Sequence, residues 1–144
     1  MAILGKRSDK ADALARVPIF KGLSNKERME VARHADEVEV VAYTFLTEEG
    51  ERGNAFYLIL TGNADVKKND QTVASLGSGD FVGEMALIDG YPRSATVIMT
   101  TDGSVLEINR RDFLSLLDST PGMTKKLLVG MSHRLRAADE KLVS

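Results

Sequence analysis

The spacing of apolar positions changes twice along the chain. Residues 1–36 and 109–144 carry apolar residues at the intervals of amphipathic helices, whereas residues 37–108 consist of short apolar runs separated by turn residues. This pattern predicts one domain over residues 1–144, in which helices flank a strand-rich centre.

The first segment carries signals for two helices. Ser8 and Asp9 can cap a short helix, which Pro18 then interrupts. Ser24 is followed three residues later by Glu27, and this spacing is a capping box that opens a second helix. We therefore expect a helix, a bend and a second helix before residue 37.

The centre predicts an antiparallel β jelly-roll barrel, also described as a double-stranded β-helix. Its apolar runs are short, and glycines lie in the turns between them. Many short strands with frequent glycine turns favour this architecture over a parallel α/β sheet. The runs are Val38–Val41, Phe56–Leu60, Ala64–Lys67, Thr72–Leu76, Ser94–Met99 and Ser104–Ile108.

The last segment predicts two C-terminal helices. Asn109 can cap the first, and Thr120 with Pro121 forms a good N-cap and N1 pair for the second. Apolar residues of the second helix recur at intervals of three and four, which is the pattern of a two-helix seam. This stripe either packs on the barrel or pairs with a second copy of the chain in a homodimer. Its residues are Leu128, Met131, Leu135, Ala138 and Leu142.

Composition and charge exclude several classes of protein. The 19 basic and 21 acidic residues nearly cancel to a net charge of -2, whereas a generic nucleic-acid binder needs a strong positive field. The absence of cysteine excludes disulfides and thiolate chemistry. No apolar run has the length of a membrane span or the form of a signal peptide, so we expect a cytoplasmic protein without a membrane segment.

One short segment, residues 81–97, concentrates residues suited to bind a ligand. Gly83 lets the backbone approach a ligand closely, and the amides that follow it at the start of a helical run suit an anion. Arg93 adds a fork of donors that matches phosphate oxygens. Glu84 would repel a phosphate, but it can accept hydrogen bonds from sugar hydroxyls. Together these residues fit a ligand that bears one phosphate and one ribose.

Each of these residues also has an ordinary structural interpretation. Glu84 is a favourable acid in the first turn of a helix, Arg93 can be a solvated turn residue, and Gly83 can serve a tight turn. Their arrangement in one short segment inside a strand-rich barrel is what favours ligand binding.

The segment resembles the phosphate-binding cassette of cyclic-nucleotide-binding domains, as found in protein kinase A regulatory subunits and the bacterial catabolite activator family. Gly83–Leu87 and Pro92–Val97 match the pattern of that cassette. The resemblance extends from about Leu14 to the last helix, and it includes Gly50 with Glu51 and the run Phe56–Ile59. It implies a module that senses a cyclic nucleotide and moves its C-terminal helix on binding.

The resemblance also implies a role for each residue of the cassette. Glu84 would accept a hydrogen bond from the ribose 2′-hydroxyl, and Arg93 would hold the exocyclic phosphate oxygens. Ser94 and nearby amides would complete the anion pocket. The other cassette residues implied to contact the nucleotide are Phe81, Val82, Gly83, Met85, Ala86 and Ala95. Outside the cassette, the implied positions are Val66 and Val73 beside the base, and Arg134 and Leu135 over the nucleotide.

The choice of base depends on the last helix. Members of the catabolite activator family have hydroxyl residues there that contact the adenine amino group, whereas this chain has Ala138 and Asp139. The Asp139 carboxylate can accept from adenine or from guanine. The resemblance therefore favours cAMP as the ligand and leaves cGMP as the alternative.

Two alternatives to nucleotide binding are a metal enzyme and a dimerisation domain. A metal enzyme on a barrel needs clustered ligands on strands, but the two histidines, His34 and His133, lie in helical segments. With no Gly-x-Ser-x-Gly elbow and no Walker loop, we expect no catalysis, no metal and no cofactor. A dimerisation domain that no longer binds nucleotide is the other alternative, although Glu84 and Arg93 would then remain as a partly buried charge pair at a desolvation cost.

The end of the chain bears on the output of such a module. No helix-turn-helix segment follows the last helix before Ser144, so we expect no contact with nucleic acid through this chain. The chain is then either a free-standing sensor or a domain of a larger protein.

Overall fold

The structure, a computed structural model, describes residues 14–15 and 20–143, and side chains as far as residue 140. The cap predicted at Ser8 and Asp9 and the break predicted at Pro18 lie outside these residues. The helices are α1 Asn25–His34, α2 Glu84–Asp89, α3 Arg110–Ser119 and α4 Pro121–Val143. The strands are β1 Asp36–Val40, β2 Phe45–Thr47, β3 Ala55–Thr61, β4 Ala64–Lys68, β5 Gln71–Leu76, β6 Phe81–Val82, β7 Thr96–Met99 and β8 Gly103–Asn109.

The strands form two four-stranded antiparallel sheets. One sheet has the order β1-β8-β3-β6, and the other has the order β2-β7-β4-β5. Except for the hairpin of β4 and β5, strands that are neighbours in a sheet are distant in sequence, as where Tyr57 of β3 pairs with Val82 of β6 and Glu107 of β8. Two antiparallel sheets with such crossed connections form a jelly roll, and helices flank it in the chain. The predicted fold class is therefore confirmed.

Apolar residues from both sheets meet in one buried cluster. Ile59 and Val105 contribute to it from the first sheet, and Leu46 and Val97 from the second. Residues two apart on a strand share a face, so Tyr57 lies on the same face of β3 as Ile59 and packs against this cluster. The phenol of Tyr57 therefore lies on the inner face of the sheet, opposite Val82 at the end of β6 in the cassette.

The opposite face of the first sheet is covered by stacked aromatic rings. The ring of Phe56 lies 4.9 Å from that of Phe113 in α3 and 5.9 Å from that of Phe81 in β6, measured between centroids. Stacked rings at these separations add to the free energy that burial of their area provides. The contact with Phe56 holds β6 on the sheet although that strand has only two residues.

The pattern of apolar positions does not predict two of the strands, β2 and β6. They contain three and two residues, and alternation cannot be recognised over so short a distance. The pairing of β2 with β7 also contains a register shift between Phe45 and Thr47. The six predicted runs all become strands, with ends that shift by one or two residues; Ser94 and Ala95, for example, precede β7.

Two predicted helix caps are confirmed. The amide of Ser24 donates to Glu27 Oε1 over 3.0 Å, and the amide of Glu27 donates to Ser24 Oγ over 3.1 Å, which is the reciprocal bonding of a capping box. The Oδ1 atom of Asn109 accepts from the amide of Asp112 over 2.9 Å at the start of α3. Both caps satisfy amides that have no partner within the helix.

The cap predicted for α4 is only half correct. Pro121 is the first residue of α4, as predicted, but the hydroxyl of Thr120 donates to the carbonyl of Leu116 and does not cap α4. Thr124 acts in the same way, because its hydroxyl donates to the carbonyl of Leu117 over 2.7 Å. Both hydroxyls therefore satisfy carbonyls at the end of α3, where a helix leaves acceptors open.

We expect Ser24→Ala to lower the free energy of unfolding by about 1 kcal/mol, because the substitution removes the acceptor for the Glu27 amide. Urea denaturation followed by circular dichroism measures this change. Ser115→Ala, the same substitution at an exposed position of α3, serves as the control and should change stability by less than about 0.5 kcal/mol. Equal effects of the two substitutions would contradict the capping role.

The chain divides into two compact units. One is His34–Ser115, which contains all the strands of the described residues and the segment 81–97. The other is formed by the helical segments before and after it. Among the residues whose structure is described, no helix has both the length and the apolar character that a membrane span requires.

Candidate functional site

The segment between β6 and β7 begins with a glycine in the left-handed region. Gly83 has φ 97° and ψ -3° and precedes the first residue of α2. A side chain is strained at such a φ, so glycine suits this sharp change from strand to helix. Gly90, also left-handed at φ 76°, ends α2, and its amide donates to the carbonyl of Ala86. The helical run and the turn expected from the sequence are both present.

Arg93 is not a solvated turn residue, because only 7% of it is exposed. Its Nη1 donates to the carbonyl of Gly83 over 2.8 Å, and its Nη2 donates to the carbonyl of Ala55 over 2.6 Å. The main chain of Arg93 is also held, since its amide donates to Glu51 and its carbonyl accepts from Gly50. The guanidinium is thus fixed between the end of β6 and the start of β3.

Glu84 is the first residue of α2, and only 2% of it is exposed. Its carboxylate is buried, and the charge of this group acts on Arg93. A buried charge is costly unless an opposite charge or hydrogen-bond donors compensate it. The positive charge of Arg93 supplies part of this compensation.

The pKa of Arg93 shows the balance of these forces. Burial lowers it from its ordinary value, and the nearby Tyr57 and Glu84 oppose that change. Burial also raises the pKa of Tyr57, an effect to which Glu107 adds and which Arg93 opposes. An arginine stays charged through such changes, so the site presents a fixed cation.

Arg93 is one of the residues that line a cavity of about 380 Å³. This cavity is lined by acidic, basic and neutral polar side chains, with apolar residues of β2 on one side. Its volume lies in the range of small-molecule sites. The lining residues are Phe45, Leu46, Thr47, Glu48, Glu51, Arg52, Asn54, Tyr57 and Arg93.

The remaining residues predicted in the cassette differ in exposure. Phe81 and Val82 are buried in β6, whereas Met85 on α2 and Ser94 before β7 are exposed. The carbonyl of Ala95 accepts from the hydroxyl of Thr47 over 3.0 Å, which ties the end of the cassette to β2. Ala86 is buried against the loop that precedes β3.

The two valines predicted to flank the base have different environments. Val66 on β4 packs against the inner apolar cluster. Val73 on β5 is 52% exposed. The register of β4 with β5 shifts at this residue, since Val66 pairs with Ala74 and Lys67 pairs with Thr72.

The two residues predicted to lie over the nucleotide and the two predicted to determine the choice of base are all on α4. Arg134, Leu135, Ala138 and Asp139 are exposed there, with 65% of Leu135 accessible to solvent. Their helix belongs to the unit that excludes residues 34–115, and the cassette belongs to the other. Their roles toward a nucleotide therefore stay predictions.

The two histidines lie on helices, as the sequence predicts. Nδ1 of His34 is 3.6 Å from Oδ1 of Asp112, and His133 is an exposed residue of α4. Within the described part of the chain, no three His, Asp or Glu side chains are grouped so that they could hold a metal ion.

Comparison with known proteins identifies the family. The model of the cyclic nucleotide-binding domain matches residues 37–120, which cover both sheets and the cassette. This chain belongs to the cyclic nucleotide-binding domain family. The resemblance expected from Gly83–Leu87 and Pro92–Val97 is thereby confirmed.

Members of this family with similar sequence or structure include regulatory proteins. The chain is 38% identical over 106 residues to the cAMP-dependent protein kinase regulatory subunit of Aspergillus niger, an alignment that covers 72% of this chain and 26% of that subunit. A cAMP-bound structure of PfPKA-R shares 27% identity at a TM-score of 0.83, over 96% of this chain and 48% of the other. The catabolite activator protein of Thermus thermophilus shares 30% identity at a TM-score of 0.77, over 87% and 61% respectively. The chain thus spans about a quarter of the curated relative's length.

Among the described residues that line the cavity, Arg93 alone belongs to the cassette, and Glu84 is not one of them. The sequence analysis missed several of the other lining residues. Thr47 ends β2, whereas Glu48, Arg52 and Asn54 lie in the loop between β2 and β3. None of these residues belongs to a local motif that indicates a site. The match of Gly50 with Glu51 and of the run Phe56–Ile59 to the family could have indicated these residues. Gly50 and Glu51 lie in the loop between β2 and β3, and the run Phe56–Ile59 lies in β3, which follows that loop.

Proposed function

We propose that this chain binds cAMP and acts as a sensor or regulatory module. The observation that carries the proposal is the burial of Arg93 at the edge of a 380 Å³ cavity, with its guanidinium directed by two main-chain carbonyls. A guanidinium has more N–H donors than these two carbonyls use, and the others can bind a phosphate. The family of the chain supports the same ligand.

Arg93 and Glu84 divide the recognition of the sugar phosphate between them. The fixed cation attracts the negative phosphate, and its planar fork matches two phosphate oxygens. The buried carboxylate of Glu84 offers an acceptor to the ribose 2′-hydroxyl. Since the two side chains have opposite charges in a buried site, they orient a ligand that has an anion at one end and hydroxyl donors at the other.

The base is proposed to be adenine, with guanine as the alternative. Val66 would contact the base from the barrel wall, and Asp139 on α4 would accept from its amino group. A ligand can shift the position of α4 only if it binds one position better than the other, and Arg134 with Leu135 would supply that difference. In this scheme the chain is not an enzyme, and it needs no metal or cofactor.

Isothermal titration calorimetry with cAMP and cGMP tests the proposal. We expect both nucleotides to bind, cAMP more tightly, and adenosine to bind far more weakly because it lacks the phosphate that Arg93 recognises. Absence of heat with either nucleotide up to millimolar concentration would overturn the function. Tighter binding of cGMP would reverse the assignment of the base while leaving the phosphate and ribose roles intact.

We also propose a cytoplasmic location and no contact with nucleic acid through this chain.

We further propose that the chain self-associates through α4. Leu128 and Leu135 are exposed, at 61% and 65%, at the spacing of a helical seam. Sedimentation equilibrium should then detect a dimer that Leu128→Glu and Leu135→Glu dissociate. A monomer at every concentration would contradict the seam.

A further inference from the structure

Gly53 is a buried residue of the loop between β2 and β3, and it contacts both parts of the proposed phosphate site. A Cβ atom built on it would lie 2.8 Å from the Cβ of Ala86 in α2. The same atom would lie 3.3 Å from Cζ and 3.4 Å from Nε of Arg93. Cβ atoms essentially never come within 3.0 Å of another heavy atom, so a larger residue requires α2 or the guanidinium to move.

A second glycine lies against the same guanidinium. A Cβ atom on Gly83 would lie 2.6 Å from Nη1 of Arg93 and 2.8 Å from the carbonyl oxygen of Ala55. Gly83 also needs its left-handed backbone, whereas Gly53 is not in that region, so Gly53 is required for space alone. Two distant segments of the chain thus both lack a side chain where they meet Arg93.

The loop that carries Gly53 is tied to the segment between α2 and β7, which carries Arg93. The amide of Arg93 donates to the carbonyl of Glu51 over 2.7 Å, and the amide of Gly50 donates to the carbonyl of Arg93 over 2.9 Å. A third bond runs from the amide of Glu49 to Thr96 Oγ1 over 2.9 Å. Because these bonds hold the loop in place, a methyl group added at Gly53 displaces α2 or the guanidinium more readily than the loop.

We propose that Gly53 is a positioning residue for phosphate recognition, because its lack of a side chain lets the Arg93 guanidinium and α2 reach their binding positions together. This inference rests on the proposed function. Fork-shaped donors bind phosphate with a defined geometry, so a displacement of a few tenths of an ångström changes which oxygen is held. Gly53 acts through Arg93 and α2, and it need not touch the ligand.

The test compares Gly53→Ala with Gly77→Ala by calorimetric titration with cAMP. A Cβ on Gly77 would have its nearest neighbour, Asn63 Oδ1, at 3.4 Å, which is an ordinary contact. We expect Gly53→Ala to weaken cAMP binding about tenfold or more, and Gly77→Ala to change it by less than about twofold. Equal binding by wild type and Gly53→Ala would overturn the inference, whereas absence of binding by wild type would instead refute the proposed function.

A second readout separates positioning from a loss of stability. The two phosphorothioate diastereomers of cAMP differ in which exocyclic oxygen is replaced by sulfur, so the ratio of their dissociation constants reports the place of the guanidinium. We expect Gly53→Ala to shift this ratio toward unity by about threefold or more, since the displaced guanidinium discriminates less between the two oxygens. An unchanged ratio with weaker binding of both diastereomers would show a merely structural effect and overturn the inference.

A rescue variant tests the named contact. The double variant Gly53→Ala with Ala86→Gly moves the methyl group from one side of the 2.8 Å contact to the other. Compared with Ala86→Gly alone, we expect the added Gly53→Ala to cost at most about threefold in cAMP affinity, so the two substitutions are not additive. Additive losses would contradict the role of this contact.

Discussion

Replacing Arg93 by lysine lowers the affinity for cAMP by about 100-fold or more. The guanidinium is held by the carbonyls of Gly83 and Ala55, and in the proposed function its remaining N–H groups would bind the phosphate. An ammonium cannot bond two carbonyls and a phosphate with the same planar geometry, and loss of a buried, hydrogen-bonded charge contact costs about 2–5 kcal/mol. Calorimetric titration of wild type and Arg93→Lys with cAMP measures the change.

Arg111→Lys is the matched control for that substitution. Arg111 is an exposed residue of α3, so the same change of side chain there should leave cAMP affinity within about twofold. Thermal denaturation of Arg93→Lys shows whether the variant is folded, because the carbonyl of Ala55 loses its donor as well. A folded Arg93→Lys protein that binds cAMP as tightly as wild type would contradict the phosphate role.

Replacing Glu84 by glutamine weakens cAMP binding by about 30-fold. The substitution keeps the size of a side chain that is only 2% exposed. It removes the negative charge that raises the pKa of Arg93 against the lowering caused by burial. A hydrogen bond from a hydroxyl to a charged acceptor contributes about 1.5–3 kcal/mol, more than one to a neutral amide. Titration with cAMP and with 2′-deoxy-cAMP measures the change and assigns it to the ribose.

The 2′-deoxy ligand decides whether Glu84 recognises the hydroxyl. We expect wild type to bind cAMP far more tightly than 2′-deoxy-cAMP, and Glu84→Gln to lose most of that preference. Glu39→Gln, at an exposed position of β1, provides the control and should retain it. If Glu84→Gln weakened both ligands by the same factor, Glu84 would act only on Arg93, and the ribose role would be wrong.

Much of the fold follows from local features of the chain. The six apolar runs become strands because turn residues separate them and alternation lasts long enough to identify one buried face. The capping signals at Ser24 and Asn109 succeed because each bond links residues three apart. The cassette could be recognised from the sequence for a similar reason, because Gly83, Glu84 and Arg93 all lie within the short segment of residues 81–97.

The features that the sequence did not predict correctly depend on contacts between distant parts of the chain. β2 and β6 are too short for alternation, and they exist because longer strands and the ring of Phe56 hold them. The hydroxyl of Thr120 could cap α4 on local grounds, but it bonds the end of the preceding helix instead. In each case a contact made by the folded chain outweighs a local preference.

The sequence by itself determined the family and most of the order of the elements, and it singled out the residues that we propose to bind phosphate and ribose. Tertiary structure alone decided the state of Arg93, which is buried and directed by Ala55, a residue 38 positions away along the chain. It also decided that Gly53 must lack a side chain beside that guanidinium. A motif records which groups are present within a short segment, whereas burial and close contact depend on which distant segments the fold brings against it.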